Sequence, residues 1–441
     1  MSQEPLFAGA EPDPSAAPPL PAGAPRFQPP VRNQGEWVST DLDGLLDADH
    51  RARMVWRFVQ SLDLQPFYGR IRAVEGHAGR PPIDPKILMA LWLYATVEGV
   101  GSARALARLC DEHNAYRWIC GGVGVNHHTL SDFRTDHGEA LDLLLTQSVA
   151  SLMAEGLVTL DRVAQDGVRV RASAGAGSFR GKDALGECLK EAQEQVETLK
   201  RELEEDPAAT TQRQAAARTR AAREREERVE RAIAQREEAE KRKKGEDEKK
   251  KARASTTDPD ARVMKMGDGG FRPAVNDQIA TDTASQIVVG VDASNEGTDG
   301  GQLAPMVEQL EGRYGRRPRE MLVDGGYVNN AAIEDVAAAG TDVYAPTRKP
   351  RDAGRDPHVA MPGDGPGVGA WRVRMGTAAA KEIYRERAAT AECVNALARN
   401  RGLQRLLVRG LDKARAVLLW FALAHNMMRA ASLREALAAA A

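Results

Sequence analysis

Three carboxylates stand out by their surroundings. Asp166 lies inside an alternating segment and is followed by Gly167, Asp324 closes a short apolar run before Gly325 and Gly326, and Glu392 sits within a helical stretch. Hard divalent cations take oxygen ligands, and Mg²⁺ is typically held by a few carboxylates together with phosphate oxygens of the substrate. Two such ions about 3.5–4 Å apart activate an attacking oxygen and stabilise a leaving one in phosphodiester chemistry. A glycine after each Asp would let a phosphodiester backbone approach closely. On residue type alone, the 63 acidic side chains allow many such triplets. Other candidates have plainer readings. Asp292 reads as a turn carboxylate after a strand, Trp371 as a core or edge aromatic before a base-stacking platform, His127 and His128 as turn residues, and Tyr384 as helix packing. Glu382 and Glu386 compete with Glu392 for the third place.

The elements that must position these groups follow from pattern. Residues 1–36 hold nine of the 23 prolines and few large apolar side chains, which predicts a disordered tail. From 37 to 158 the pattern predicts an all-α region. Asp84-Pro85 opens one helix, Ser102 caps the next, Gly121 to Gly124 make a turn, Thr129 or Ser131 starts a short helix, and Asp142 to Leu157 form another. Arg162 to Arg171 alternates like a strand. Residues 182–253 carry 20 Lys+Arg and 19 Asp+Glu. Leu185, Leu189, Ala192, Val196, Leu199 and Leu203 form a short heptad seam, Asp206-Pro207 breaks the helix, and a second charged helix runs from about Gln212 to Lys244. This predicts a helical hairpin with a solvated, self-paired charged face. Strands are predicted at Ala274–Asp282, Gln286–Asp292, Arg319–Asp324 and Asp342–Pro346. Helices are predicted at Gln302–Tyr314, Asn330–Ala339, Thr377–Arg401 and Asp412–Ala431.

Composition narrows the class. With 61 Lys+Arg against 63 Asp+Glu the formal net charge is −2, which excludes a small, uniformly basic nucleic-acid module. Any affinity for phosphates must come from local clusters such as Arg385, Arg387, Arg399, Arg401 and Arg405. Four scattered cysteines with no C-x-x-C pair argue against a disulfide framework or a zinc site. The most apolar stretch, Ala416–Ala424, is too short to span a bilayer, and the first 30 residues lack a secretory pattern, so a cytoplasmic protein is expected.

Taken together, several segments resemble bacterial insertion-sequence DDE transposases. Gln165-Asp166-Gly167, Val323-Asp324-Gly325-Gly326-Tyr327, and Tyr384-Arg385-Glu386-Arg387 with Glu392 look like the three signatures of that family. Ser255–Asp260, Val275–Asp282, Gly79–Pro85, Ser102-Ala103-Arg104 and Asp132-Phe133-Arg134 look like it too. The resemblance spans roughly residues 40–430. It implies an α+β fold: a ribonuclease-H-like mixed sheet with helices over 159–181 and 254–435, preceded by an all-α DNA-binding domain (37–158) and interrupted by the charged hairpin. It implies two Mg²⁺ ions, with Mn²⁺ as a substitute, held by Asp166, Asp324 and Glu392. Tyr384, Arg387 and Arg134 are implied as DNA contacts, with Arg399 standing where the signature has Lys. The implied partners are double-stranded DNA, as terminal inverted repeats and target, and a second copy of the chain.

Two departures matter. The gap from Arg387 to Glu392 is one residue longer than the commonest form, and Arg399 replaces Lys. On a regular α-helix Arg385, Glu392 and Arg399 share one face, whereas Arg387 lies about 140° from Glu392. Arg385 therefore competes with Arg387 for phosphate. An Arg at 399 keeps the charge and gains a forked donor set. An inactive, transposase-derived DNA-binding protein is the main alternative, and a nuclease that cuts without joining is a third.

Overall fold

Arg162–Arg171 forms β1, the central strand of the sheet, buried on both faces over Val163–Gln165 and on alternate residues from Val168 to Val170. The computed structural model describes residues 41–73, 81–205, 211–348 and 354–440, and from Leu42 onward the chain is one compact unit. The Pro-rich segment 1–36, Gly79-Arg80, and Asp206-Pro207 lie outside the described residues, as does the side chain of Leu203. Among the described residues the fold is α+β. Short strands β2 (Phe179–Arg180) and β3 (Ala254–Ser255) pair at the base of the charged insertion. The main sheet adds β4 (Arg262–Lys265), β5 (Phe271–Asp282), β6 (Val288–Ser294), β7 (Glu320–Leu322) and β8 (Asp342–Tyr344). β5 runs antiparallel to β1 along its whole length, and pairs antiparallel with β4 through its first residues and with β6 through the rest. On the other side of β1, β7 and then β8 run parallel to it.

Among the described residues seven α-helices precede the sheet: α1 (Arg51–Ser61), α2 (Gln65–Tyr68), α3 (Pro85–Val97), α4 (Ala103–Glu112), α5 (Asn114–Cys120), α6 (His127–Thr135) and α7 (Gly138–Ala154). Asp84 caps α3 and Ser102 caps α4, as their side chains dictate. α6 begins earlier than its composition suggests, because Asn126 accepts from the His128 and Thr129 amides. The insertion is an antiparallel pair, α8 (Lys182–Glu205) and α9 (Gln212–Lys241), followed by α10 (Glu246–Lys250). Its seam packs Val196 and Leu199 against Ala222 and, nearer the base, Leu185 against Ala232 and Ala254, with Ala192 and Val229 also buried. The pair is also tied down at its base, where Arg231 reaches Asp260 at 2.7 Å and Arg242 reaches Glu296 at 2.5 Å.

After the insertion come α11 (Leu303–Tyr314), α12 (Asn330–Ala338), α13 (Pro366–Gly376), α14 (Ala378–Arg387), α15 (Cys393–Asn400) and α16 (Leu411–Ala440). α13 has no counterpart in the sequence pattern, since its glycines and single tryptophan hide the apolar period. α16 is long and apolar enough to cross a membrane by length and composition, beyond the nine-residue run seen in sequence, but 72% of that window is buried inside the fold. It packs on α3, α7 and β6 and joins the helical region and the sheet into one apolar core. Two side chains plug sheet edges: Asn426 bonds both the amide and the carbonyl of Val288 on β6, at 2.8 and 2.7 Å, and Arg374 donates to the Val343 carbonyl on β8 at 3.2 Å.

Trp420 joins the layers. It is fully buried, stacks near Trp92 and Phe133, and donates its indole N–H to the Arg134 carbonyl at 3.0 Å. Trp420→Ala is expected to cost roughly 3–5 kcal/mol, read as a lowered urea midpoint; an unchanged midpoint would show that α16 does not hold the two layers together.

Candidate active site

Register brings the first two carboxylates together. Arg162, Val163 and Ala164 of β1 pair in parallel with Glu320, Met321 and Leu322 of β7. Continuing that offset by two residues sets Asp166 beside Asp324, just past the last paired residue of β7. This is where parallel strands splay and ligand sites of open sheets form. Asp324 turns the chain by accepting the Gly326 amide at 2.7 Å. Asp166 accepts from Asn395 of α15 at 2.8 Å and from its neighbour's amide, Gly167, at 3.1 Å.

Gly167 is required by space inside the protein. A Cβ there would stand 2.8 Å from Gln278 Nε2 and 2.9 Å from Asn276 Oδ1, and would overlap the Asp299 carboxylate. Asp299 accepts from Asn276 at 2.7 Å and Gln278 at 2.9 Å, and the buried Tyr327 hydroxyl bonds Gln278. This polar cluster lies under the face of β1 opposite Asp166, since successive strand residues alternate. The glycine therefore makes room for packed side chains, whatever its effect on an approaching backbone. Sequence reasoning missed Asp299, which has no local signal. It also missed Asn395, which the i, i+3 spacing from Glu392 would have flagged.

The helix expected over Thr377–Arg401 is not regular. Between α14 and α15, Ala388–Glu392 form a π-helical turn. A π turn closes hydrogen bonds to i+5 and absorbs one residue more than an α turn. The extra residue between Arg387 and Glu392 is therefore taken up locally. Five residues become about one turn, and the two side chains meet at 3.4 Å. Arg387 also stands 3.6 Å from Asp166, and its guanidinium lies 6.0 Å from the Tyr384 ring centroid. Arg385, which regular geometry favoured, points to solvent and pairs with Glu382. Glu386 is engaged by Arg162 at 2.5 Å. The structure thus brings Asp166, Arg387 and Glu392 together and leaves Arg385, Glu382 and Glu386 outside.

Burial dominates the electrostatics. It raises the Asp166 pKa to about 6; Arg387 and the Gly167 amide oppose the shift, while Asp324 and Asp299 add to it. Burial also raises Tyr384 and Tyr327, the latter further through the three neighbouring aspartates. Among the described residues no three His, Cys, Asp or Glu side chains gather within metal-ligating reach. Arg387 fills the gap between Asp166 and Glu392 instead. The donor set still suits a hard cation: the half-buried Asp166, with Asp324 and Asp299 near enough to raise its pKa, is balanced by one guanidinium at 3.6 Å.

The remaining candidates fall apart from this cluster. Arg399 is exposed at the end of α15. Arg134 turns inward, bonding the Gly101 carbonyl with its guanidinium 4.6 Å from the Trp92 ring centroid. Trp371 is a core residue donating to the Ala345 carbonyl at 3.0 Å. Asp292 lies 3.7 Å from Arg415, and His127 and His128 open α6.

Comparison with protein families gives two matches. A family model described as Transposase domain (DUF772) matches residues 40–136, and one described as Transposase DDE domain matches 369–431. No curated protein and no solved structure matches the chain significantly. The second segment contains Tyr384, Arg387, Glu392 and Arg399, while Asp166 and Asp324 lie between the two. Together the matches support an insertion-sequence DDE transposase, as the signatures implied.

Two outcomes are expected. The Asp166 pKa is raised on folding, so its ionisation opposes folding: the penalty is absent near pH 4, grows as pH rises towards about 6, and is full above it. Without metal, Asp166→Asn is expected to stabilise the protein by up to about 2–3 kcal/mol at pH 8 and progressively less towards pH 5; urea titrations that give a pH-independent difference would refute this. Deleting Ala388, an exposed residue of the π turn, restores i, i+4 spacing on an α-helix and is expected to preserve fold and metal response. Thermal melts with and without Mn²⁺ test it, and loss of the Mn²⁺ shift would mean the wide turn itself is needed.

Proposed function

We propose that this chain is a DNA transposase that cuts phosphodiester bonds at element ends and joins them to target DNA. Asp166, Asp324 and Glu392 serve as carboxylate ligands of two Mg²⁺ ions, for which Mn²⁺ can substitute. The observation that carries the reading is the convergence of Asp166 and Asp324, by strand register, with Arg387 and Glu392, by the π turn. Strand order β6-β5-β1-β7-β8, with β5 antiparallel and the last two parallel to β1, supports a ribonuclease-H-like core over 159–181 and 254–435. The helices of 37–158 then form the DNA-binding portion, and 182–253 is an insertion within the core.

The bound ions would supply Lewis-acid activation of the attacking oxygen and charge neutralisation at the leaving one. The protein's part is positioning. Asn395 fixes the direction of the Asp166 carboxylate. Arg387 balances the carboxylates, and its forked donors suit a phosphate; Tyr384, Arg385, Arg399 and Arg134 are the other proposed DNA contacts. Terminal inverted repeats and target duplex are the substrates, a homodimer on DNA holds two ends, and the reaction takes place in the cytoplasm.

One observation favours the inactive, DNA-binding alternative: Arg387 occupies the space between two of the three carboxylates. Asp166→Ala is expected to abolish Mg²⁺-dependent strand cleavage of an end-bearing duplex while leaving duplex binding within about twofold. Normal cutting by this variant would remove Asp166 from the mechanism. Binding without cutting by the unaltered chain would establish the alternative.

A further inference from the structure

A second site lies away from the carboxylates. Between the α3–α4 loop and the α15–α16 loop is a cleft of about 610 Å³. Its floor is a backbone contact in which glycine is obligatory. Gly402 has φ +90°, and a Cβ there would stand 3.1 Å from the Gly99 carbonyl oxygen. The α15–α16 wall is fixed to the catalytic strand, because the Arg171 amide donates to the Gln404 carbonyl at 3.2 Å and the Leu406 amide to the Arg171 carbonyl at 2.8 Å.

The lining is cationic and short of partners. Arg134, Arg399, Arg401 and Arg405 all line the cleft, and none of them forms an ion pair among the described residues. Arg401 Nη1 and Arg134 Nε are shielded from solvent with no hydrogen-bond partner there. Buried donors without acceptors are rare and costly. Arg134 is also depressed to about 10 by burial alone, with no carboxylate to offset it. The ten-residue helix α4 begins at this cleft, with Ser102 and Ala105 on the wall, so its positive end faces the same space. The one carboxylate on the lining, Glu98, is held by Arg51 at 2.8 Å. A shallower cleft of about 570 Å³ shares Arg399, Leu403, Gln404 and Arg405 with the first and continues along Gly167, Arg169 and Arg171 of β1. Its carboxylate, Asp268, is held by Arg272 at 2.7 Å.

We propose that these joined clefts form a track for the phosphodiester backbone of DNA, running from Arg169 and Arg171 of β1 over the Arg399–Arg405 loop to a phosphate pocket at Arg401 and Arg134. Forked donors with unmet hydrogen-bonding capacity, a helix N-terminus and two clefts joined through four shared residues fit a chain of phosphates better than one small anion. This assignment rests on the transposase reading and extends it from Arg399 and Arg134 to Arg401, Arg405 and the β1 arginines, which line the joined clefts.

The test is fluorescence anisotropy of a random-sequence 30-bp duplex with the full chain in EDTA, titrated from 50 to 200 mM salt. Arg401→Gln removes the buried donor and Arg405→Glu reverses an exposed charge on the shared wall; melting temperature checks the fold of each. Both variants are expected to bind about 5–10-fold more weakly at 0.1 M salt. The salt slope should fall by about one for Arg401→Gln. Wild-type affinity and slope in both variants would overturn the track while leaving the transposase reading intact. A wild-type chain that binds no duplex would overturn both. A melting shift with millimolar pyrophosphate that needs Arg401, in a chain whose duplex binding ignores it, would make this a small-anion site and overturn the backbone assignment.

Discussion

Three paired residues, Arg162–Ala164 against Glu320–Leu322, set the geometry on which the rest of the site depends. A parallel pair has no turn to fix its register; the offset is held by what packs on both faces. Here β5 grips the whole of β1 from the other side, while Arg162 reaches Glu320 on β7 and Glu386 on α14 at 2.5 Å each. A slip of one residue would send Asp166 to the opposite face and drive Gly167's place into the Asn276–Gln278–Asp299 cluster. The carboxylate pair is thus a by-product of sheet packing, and its chemistry inherits the rigidity of the core.

Much of this was legible in the sequence where a local rule applied. The bounds of β1 follow from alternation, and the starts of α3 and α4 from Asp84 and Ser102. The seam of α8 followed from its heptad spacing. What escaped was non-local or irregular. α13 lacks a clear apolar period, and Asp299 acquires its place only when β1, β5 and the β6–α11 loop meet. The π turn escaped because residue spacing converts to angle only if the helix is regular. Applying 100° per residue through Ala388–Glu392 set Arg385 in competition with Arg387, whereas the widened turn brings Arg387 to Glu392. An odd gap in a signature is thus weak grounds for calling a helix degenerate, since one wide turn restores the contact.

The near-neutral net charge also resolves into local order. Surface pairs along α8 and α9, such as Arg225 with Glu191 and Lys200 with Glu197, cancel one another and contribute little to stability. Acid concentrates around Asp166 in mid-β1, Asp299 and Asp324, and among the described residues Arg401 and Arg405, which form no ion pair, lie along the α15–α16 loop. On the proposed function, DNA would meet attraction at the loop and repulsion at the carboxylates, and its docking would depend on bound cations as well as on arginine.

The plugs on the sheet edges carry a consequence for assembly. An exposed edge strand invites another chain to extend the sheet, and proteins block this with side chains or covering elements. Asn426 consumes the amide and carbonyl of Val288 on β6, and Arg374 consumes the Val343 carbonyl on β8. At those points the backbone has nothing left to offer an added strand. If two copies pair on one substrate, as proposed, strand addition would be blocked at those two points, and contacts made elsewhere would leave intact the register that aligns Asp166 with Asp324.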